Sequence, residues 1–241
     1  MILLEHHSMK LHKEEQAIFD HYKEIGEEAS IVRRSLKQLI RKRYDGDIMD
    51  YDLVAGSLPF VEAAFKQMGY EEDFDCYPVV LKDFLHREIS VTSKRFLNPT
   101  RFPIFIKPKL ETKAFTGFVA EDITDYRLNF VKSSIPIYIS EVVEWVSEWR
   151  IYLQNPFCFD PVHYSGDPHV LPHYKAISKM IEVVHKNNLY PVVLDVGVLS
   201  SGETALVEVN QAYSVGLYSD NKAFYTELLK AQWAKIKESL K

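Results

Sequence analysis

Apolar side chains at Leu11, Ile18, Tyr22 and Ile25 recur near the helical period, and the spacing predicts a helix from Leu11 to Ile25. Ile31, Val32, Leu36, Leu39 and Ile40 repeat the pattern and predict a second amphipathic helix over Ile31–Arg43. After the turn-rich residues 44–47 (Tyr-Asp-Gly-Asp), Tyr51–Gly56 reads as a short strand and Phe60–Met68 as a helix closed by Gly69, the opening of an α/β unit. Cys76–Pro78 and the proline-bearing Asn98–Pro103 read as connections, the second being the better lobe boundary. Between them, residues 81–90 read as a helix followed by a strand or loop.

Beyond Pro103 the period changes. Pro103–Lys107, Phe118–Glu121, Ile137–Val143, Ser147–Leu153, Val192–Leu199 and Thr204–Asn210 are short, rich in Val, Ile and aromatics, and bounded by turn residues, which predicts strands. Two helices interrupt and follow them. Leu171–His185 places Leu171, Tyr174, Ile177, Ile181 and Val184 on one face, and Ala223–Leu240 does the same with Leu229, Trp233, Ile236 and Leu240. Strands mixed with segregated helices make the expected class α+β.

Composition narrows the function classes. The 241 residues are 46% hydrophobic and 26% charged, which suits a packed globule and argues against a disordered or low-complexity chain. With 29 basic against 34 acidic residues the net charge is −5, which rules out a strongly basic nucleic-acid-coating protein. One local exception is the stretch 33–43, where Arg33, Arg34, Lys37, Arg41, Lys42 and Arg43 occur with no acid among them. It offers a possible nucleic-acid contact, but a solvated helix face outweighs that reading in an acidic chain. No run reaches the 18 or so apolar residues of a membrane helix, and the N-terminal Met-Ile-Leu-Leu lacks a signal-peptide pattern. Two cysteines, Cys76 and Cys158, suggest neither a metal cluster nor a disulfide scaffold, so a cytoplasmic location is expected.

Three constellations carry chemistry. The segment 105–117 (FIKPKLETKAFTG) sends a lysine out of a strand into a loop ending Thr116-Gly117, where an ammonium and backbone N–H groups could meet polyphosphate oxygens. This is not the Walker spacing, and strand-end lysines are usually just solvated. The segment 194–210 (LDVGVLSSGETALVEVN) predicts a hairpin with Asp195 on one strand and Glu208 and Asn210 on one face of the other. These oxygen donors suit a hard cation, Mg²⁺ with phosphates completing its shell; the alternative is a solvated sheet face, weakened by the apolar neighbours of both carboxylates. The segment 138–153 (YISEVVEWVSEWRIYL) points Glu148 and Arg150 the same way, toward one cavity or into a cross-strand salt bridge.

In order and spacing the three together resemble the ATP-grasp superfamily, and most closely its RimK-like branch, once known only as a domain of unknown function. The resemblance covers roughly residues 84–220. It implies two α+β lobes sandwiching a nucleotide, an ATP-grasp domain over 84–241, and a short helical and αβ region over 1–83 before it. It assigns phosphate contacts to Lys107, Lys113, Thr116 and Gly117, the adenine hinge to Glu141, Val142 and Val143, the ribose to Glu148, and the metal to Asp195, Glu208 and Asn210. Family members place acceptor contacts after the metal strand, here at Ser214, Gly216 and Tyr218; Tyr164, in a segment that also reads as a plain surface turn, is a further candidate.

Departures from the pattern shape the expected mechanism. Many relatives carry an arginine two residues before the metal aspartate; Val193 stands there, so Arg150 is the substitute, with Lys113, for charge developing at the γ-phosphate. An earlier lysine for the α-phosphate is missing at its usual distance, and Arg87 stands in. The implied activity is an ATP- and Mg²⁺-dependent carboxylate–amine ligase working through an acyl-phosphate, with an unidentified acid and amine, small molecule or peptide. A small-molecule kinase and a non-catalytic ATP-binding module are the alternatives. Phe115, Phe118, Trp145, Trp149, Tyr213 and Tyr218 could shield a reactive intermediate or simply form sheet core.

Overall fold

The structure is a computed structural model that describes residues 1–109, 114–155, 157–158 and 161–241. Its elements run β1 (Ile2–Glu5), α1 (Lys13–Glu24), β2 (Ile31–Arg34), α2 (Leu36–Ile40), β3 (Leu53–Ala55), α3 (Leu58–Met68), β4 (Ile89–Thr92), β5 (Ile104–Pro108) and β6 (Phe118–Ala120). They continue β7 (Ile137–Ser140), β8 (Trp145–Gln154), β9 (Phe157–Cys158), β10 (Val162–Gly166), α4 (Tyr174–Lys186), β11 (Val192–Leu199), β12 (Thr204–Gln211) and α5 (Lys222–Ser239). Mixed helices and sheets of this order are the expected α+β class.

Three sheets organise the described residues. The N-terminal one is parallel, in the order β2-β1-β3. A second is antiparallel, β4-β7-β5-β6, and the third, also antiparallel, runs β10-β8-β11-β12 with β9 on β8. Its central strand β11 is buried along its whole length, so it reads as a continuous apolar run broken only by Asp195 and Gly197.

The expected helix over Ile31–Arg43 is corrected by the parallel sheet. Ile31–Arg34 is the strand β2, paired with Ile2–Glu5, and the helix is only Leu36–Ile40, opened by a Ser35–Gln38 capping box. The β-branched Ile31 and Val32 gain more from the sheet edge than from a helix. No continuous basic helix therefore exists there; Arg34 instead bonds the Arg43 and Arg33 carbonyls and lies 3.6 Å from Asp45, while Arg33 covers the Phe19 ring. The segment 81–90 also differs: a 3₁₀ stretch, Val79–Phe84, replaces the helix, and β4 follows.

Helix α5 comes last in the chain but packs on its first sheet. Leu228, Leu229, Trp233 and Ile236 share one buried cluster with Leu3, Leu4, Val54 and Phe65. The Trp233 indole donates to the Tyr51 carbonyl at 3.0 Å, and Tyr152 and Val193 enter the same cluster from β8 and β11. The opposite face of β8 and β11 packs Trp149, Ile151, Leu194 and Val196 against α4. One face of the large sheet thus backs α4, and the other packs in part on the α5 cluster and in part faces a cleft.

Candidate active site

Alternation along β8 decides which side chains reach the cleft. Trp149, Ile151 and Leu153 go to the α4 core, so Glu148 and Arg150 point to the cavity. Trp149, 8% exposed, is therefore not a shield for the site. On β11 the same rule buries Leu194 and Val196 with α4 and turns Asp195 toward Arg150, its register partner.

A bulge completes the arrangement. Asp195 pairs with Glu208 but Val196 pairs with Leu206, leaving Val207 as the extra residue on β12. Both Val207 and Glu208 line the cleft as a result, while Leu206 and Val209 stay in the core. The guanidinium of Arg87 donates to the carbonyls of Leu206 and Val207 at 2.8 Å each and to that of Leu85 at 3.0 Å. It covers the rings of Tyr77 and Trp145 at 5.7 and 5.2 Å. Arg87 lines the cavity, and its guanidinium grips the backbone of the bulge.

The cavity has about 940 Å³, ample for a nucleotide, and lies between the two antiparallel sheets. From one side β5 sends Lys107, the 115–117 turn adds Thr116 and Gly117, and the connection after β7 adds Glu141, Val142 and Val143. From the other come Glu148, Arg150, Tyr164, Asp195 and Glu208. Gly117 is required for the close approach, since a Cβ there would lie 2.7 Å from Cζ of Phe105 and 3.3 Å from Cβ of Lys107.

Two ion pairs bridge the floor. Arg150 forms a bidentate fork on Asp195, Nε to Oδ1 and Nη2 to Oδ2, both at 2.7 Å. Asn210 donates to the same Oδ2 at 3.0 Å. Burial raises the pKa of Asp195, and the fork to a guanidinium that keeps its own proton works against that rise. Lys107 pairs with Glu208 and lies over the Tyr77 ring at 5.2 Å. Burial disfavours its charge, but the Glu208 carboxylate holds the ammonium above the ordinary lysine range. Burial pushes the Cys76 thiol beside it up to about 11, so it is no nucleophile at neutral pH.

A second cavity of about 290 Å³ shares Lys107, Arg150 and Glu208 and continues to Asn210, Ser214 and Gly216. The structure therefore gathers most of the expected residues around two joined spaces. Tyr218 lines neither; it stacks on Tyr164 at 5.3 Å, and Arg150 lies over both rings. Tyr164 is on β10 rather than in a surface turn, and its hydroxyl donates to Glu148 at 3.0 Å. Lys113 lies outside the described residues.

Residues 84–228 match a family described as an ATP-grasp domain, family 2 of its clade, over more than half of the chain. The chain belongs to that ATP-grasp family. No curated protein matches it. Among solved structures, D-cycloserine synthetase DcsG is similar with a TM-score of 0.62 at 12% identity, over 100% of this chain and 99% of that one. D-alanyl-alanine synthetase A from Vibrio cholerae O1 biovar eltor str. N16961 gives 0.54 at 12% identity, over 99% and 97%. The macrocyclase MdnC bound with precursor peptide MdnA, from Microcystis aeruginosa MRC, gives 0.54 at 14%, over 95% and 99%. At such identities the likeness is one of fold.

In this ATP-grasp chain, sequence reasoning passes over Tyr77 and Arg87's grip on the bulge. Cys76–Pro78 reads only as a connection, yet its tyrosine forms a wall of the cavity and an aromatic seat for two cations. A lone tyrosine before a proline carries no periodic signal that could reveal it.

Proposed function

We propose that the chain is an ATP- and Mg²⁺-dependent carboxylate–amine ligase that works in the cytoplasm, where its two free cysteines need no partner. The observation that carries the reading is the convergence of Lys107, Arg150, Asp195 and Glu208 from four strands on one cavity that continues into a smaller one. ATP would occupy the larger space, with Glu141–Val143 at the adenine, Glu148 at the ribose, and Lys107, Lys113, Thr116, Gly117 and Arg87 toward the phosphates. Similar structures support this use of the fold: one is a D-alanine–D-alanine ligase complexed with ATP, another an ATP-grasp ligase in complex with ADP and a leader and core peptide. We assign residues 84–241 to the ATP-grasp unit and 1–83 to the region before it.

Asp195, Glu208 and Asn210 fit a hard cation in donor chemistry, because each carries a side-chain oxygen and they lie close together on paired strands, Asn210 turning its amide N–H to Asp195. Among the described residues no cluster of three or more His, Cys, Asp or Glu is placed to hold a metal, so phosphate oxygens and water would supply the other ligands. When bound, Mg²⁺ would neutralise charge on the β- and γ-phosphate oxygens.

The remaining chemistry is positional and electrostatic. A substrate carboxylate oxygen attacks the γ-phosphorus, the bond to the β-phosphate oxygen breaks, and ADP departs. An amine nitrogen then attacks the acyl carbon, phosphate leaves with the C–O electron pair, and the surplus proton on nitrogen is released. Arg150 and Lys107 meet the charge that develops at phosphorus; Ser214 and Gly216 border the acceptor space, while Tyr164 and Tyr218 brace Arg150.

Incubation with ATP, Mg²⁺, a panel of carboxylic acids and hydroxylamine tests the reading. ADP with a hydroxamate is the expected result. A stable phosphorylated product without hydroxamate would establish a kinase, and tight nucleotide binding with no ADP from any acid would establish a binding module.

A further inference from the structure

The far end of the parallel sheet holds an unexplained carboxylate. At the end of β1, Glu5 is 1% exposed; its Oε2 accepts from the Ser57 N–H at 2.7 Å, and Nε2 of His7 lies 3.4 Å from its Oε1. Only glycine fits at Gly56, where a Cβ would lie 2.5 Å from Cβ of Glu5. Beside this joint, between α1, the start of α3 and residues 214–216, lies a cavity of about 300 Å³. Glu15 of α1 lines it, 6% exposed, and its Oε2 is buried with no hydrogen-bond partner.

A buried carboxylate oxygen without a donor costs free energy unless a ligand supplies one. The charges around it define that ligand. Glu14 also lines the cavity, but one of its oxygens accepts from the Leu217 N–H at 3.1 Å. His7 and His12 line it and pack ring against ring, 4.3 Å apart. No Lys or Arg lines it among the described residues, and Lys13, next to Glu14, turns its ammonium to the Leu217 carbonyl. The walls thus repel anions and present an acceptor. Among the described residues they form no metal-holding cluster either. What fits is a small cation that carries its own N–H donors.

The cavity is also tied to the candidate active site. Leu58, Ser214, Val215 and Gly216 line both it and the 290 Å³ cavity that reaches Lys107, Arg150 and Glu208. We propose that this crevice binds the primary ammonium group of the substrate, with Glu15 Oε2 as its acceptor; a free amino acid or small amine and a peptide N-terminus share that chemistry. The proposal rests on the ligase reading and names its substrate class.

The test uses the full chain, without nucleotide and with a non-hydrolysable ATP analogue plus Mg²⁺. Thermal-shift and calorimetric titrations are run with the common amino acids in both hands, ethanolamine, trialanine, and the N-acetylated form of each. At least one free amine binds, and its acetylated form does not. Binding by single amino acids or ethanolamine marks a small-molecule substrate; binding by trialanine alone marks a peptide N-terminus. Glu15→Gln keeps the shape and weakens amine binding about ten- to hundredfold, the range for losing a charge-assisted hydrogen bond, while analogue binding is unchanged. Equal binding of acetylated probes, wild-type affinity in the variant, or no free amine bound at millimolar concentration overturns the proposal. So does a Glu15→Gln protein that melts well below wild type, which would make Glu15 a structural group. The acetylation comparison needs no variant and stands if the variant fails to fold. Amide formation with amine binding indifferent to Glu15→Gln removes this site and leaves the ligase reading; Glu15-dependent amine binding with no ATP-driven product does the reverse.

Discussion

Arg150 and Asp195 hold each other across neighbouring strands with little water at either group, 10% and 4% of the side chains being exposed. Removing one partner strands the other's charge in a dry site. Arg150→Met is expected to lower stability by about 3–5 kcal/mol in urea unfolding, and Arg150→Met with Asp195→Leu to recover most of the loss. Recovery would show that the pair is kept for its chemistry rather than for folding. Glu15 gives a second prediction at this scale. Burial raises its pKa from the ordinary 4.5. A raised folded pKa means that its contribution to stability is fully present below the unfolded value and is lost as pH rises through the folded one. Glu15→Gln cannot ionise, so its stability relative to wild type should improve as pH rises from about 4 to about 7 without added ligand. Denaturant titrations at the two pH values check it, and a constant difference would contradict the assigned cause.

At the level of elements, one bulge and one helix decide most of the site. The extra residue on β12 lets two consecutive side chains, Val207 and Glu208, face the cavity, and Arg87 takes the carbonyls at that point. Helix α5 closes the N-terminal sheet from the other end of the chain, with Trp233 1% exposed and stacked near Phe65 at 6.0 Å. Trp233→Ala should cost about 3–5 kcal/mol in urea unfolding, because the cavity left between α5 and α3 is not refilled by small shifts. A cost below about 1 kcal/mol would show that the helix is held elsewhere.

For the molecule as a whole, a nucleotide bound as proposed would join the two sheets that meet around the larger cavity and so link ligand to stability. MgATP at about a hundredfold excess over its Kd should add about 2.7 kcal/mol to unfolding, and Lys107→Met should remove most of that gain at the same concentration. Unchanged melting of the wild-type chain with millimolar MgATP would speak against the site. The strands Val192–Leu199 and Thr204–Gln211, the helix at Leu58–Met68 and both later helices were legible in the residues, because buried strands and amphipathic helices write their periods into the sequence. So was the ATP-grasp family, since its polar residues must recur at set distances along paired strands. The strand at Ile2–Glu5 and the division of Ile31–Arg43 into strand and short helix were not. Three apolar residues and a glutamate have no period of their own, and parallel pairing joins segments about thirty residues apart. Sequence determined which residues could carry chemistry. Only the tertiary structure decided that Trp149 faces a core, that Arg150 grips Asp195, and that a bulge turns Glu208 to the cavity, because side-chain direction depends on register, and register is set between strands rather than along one.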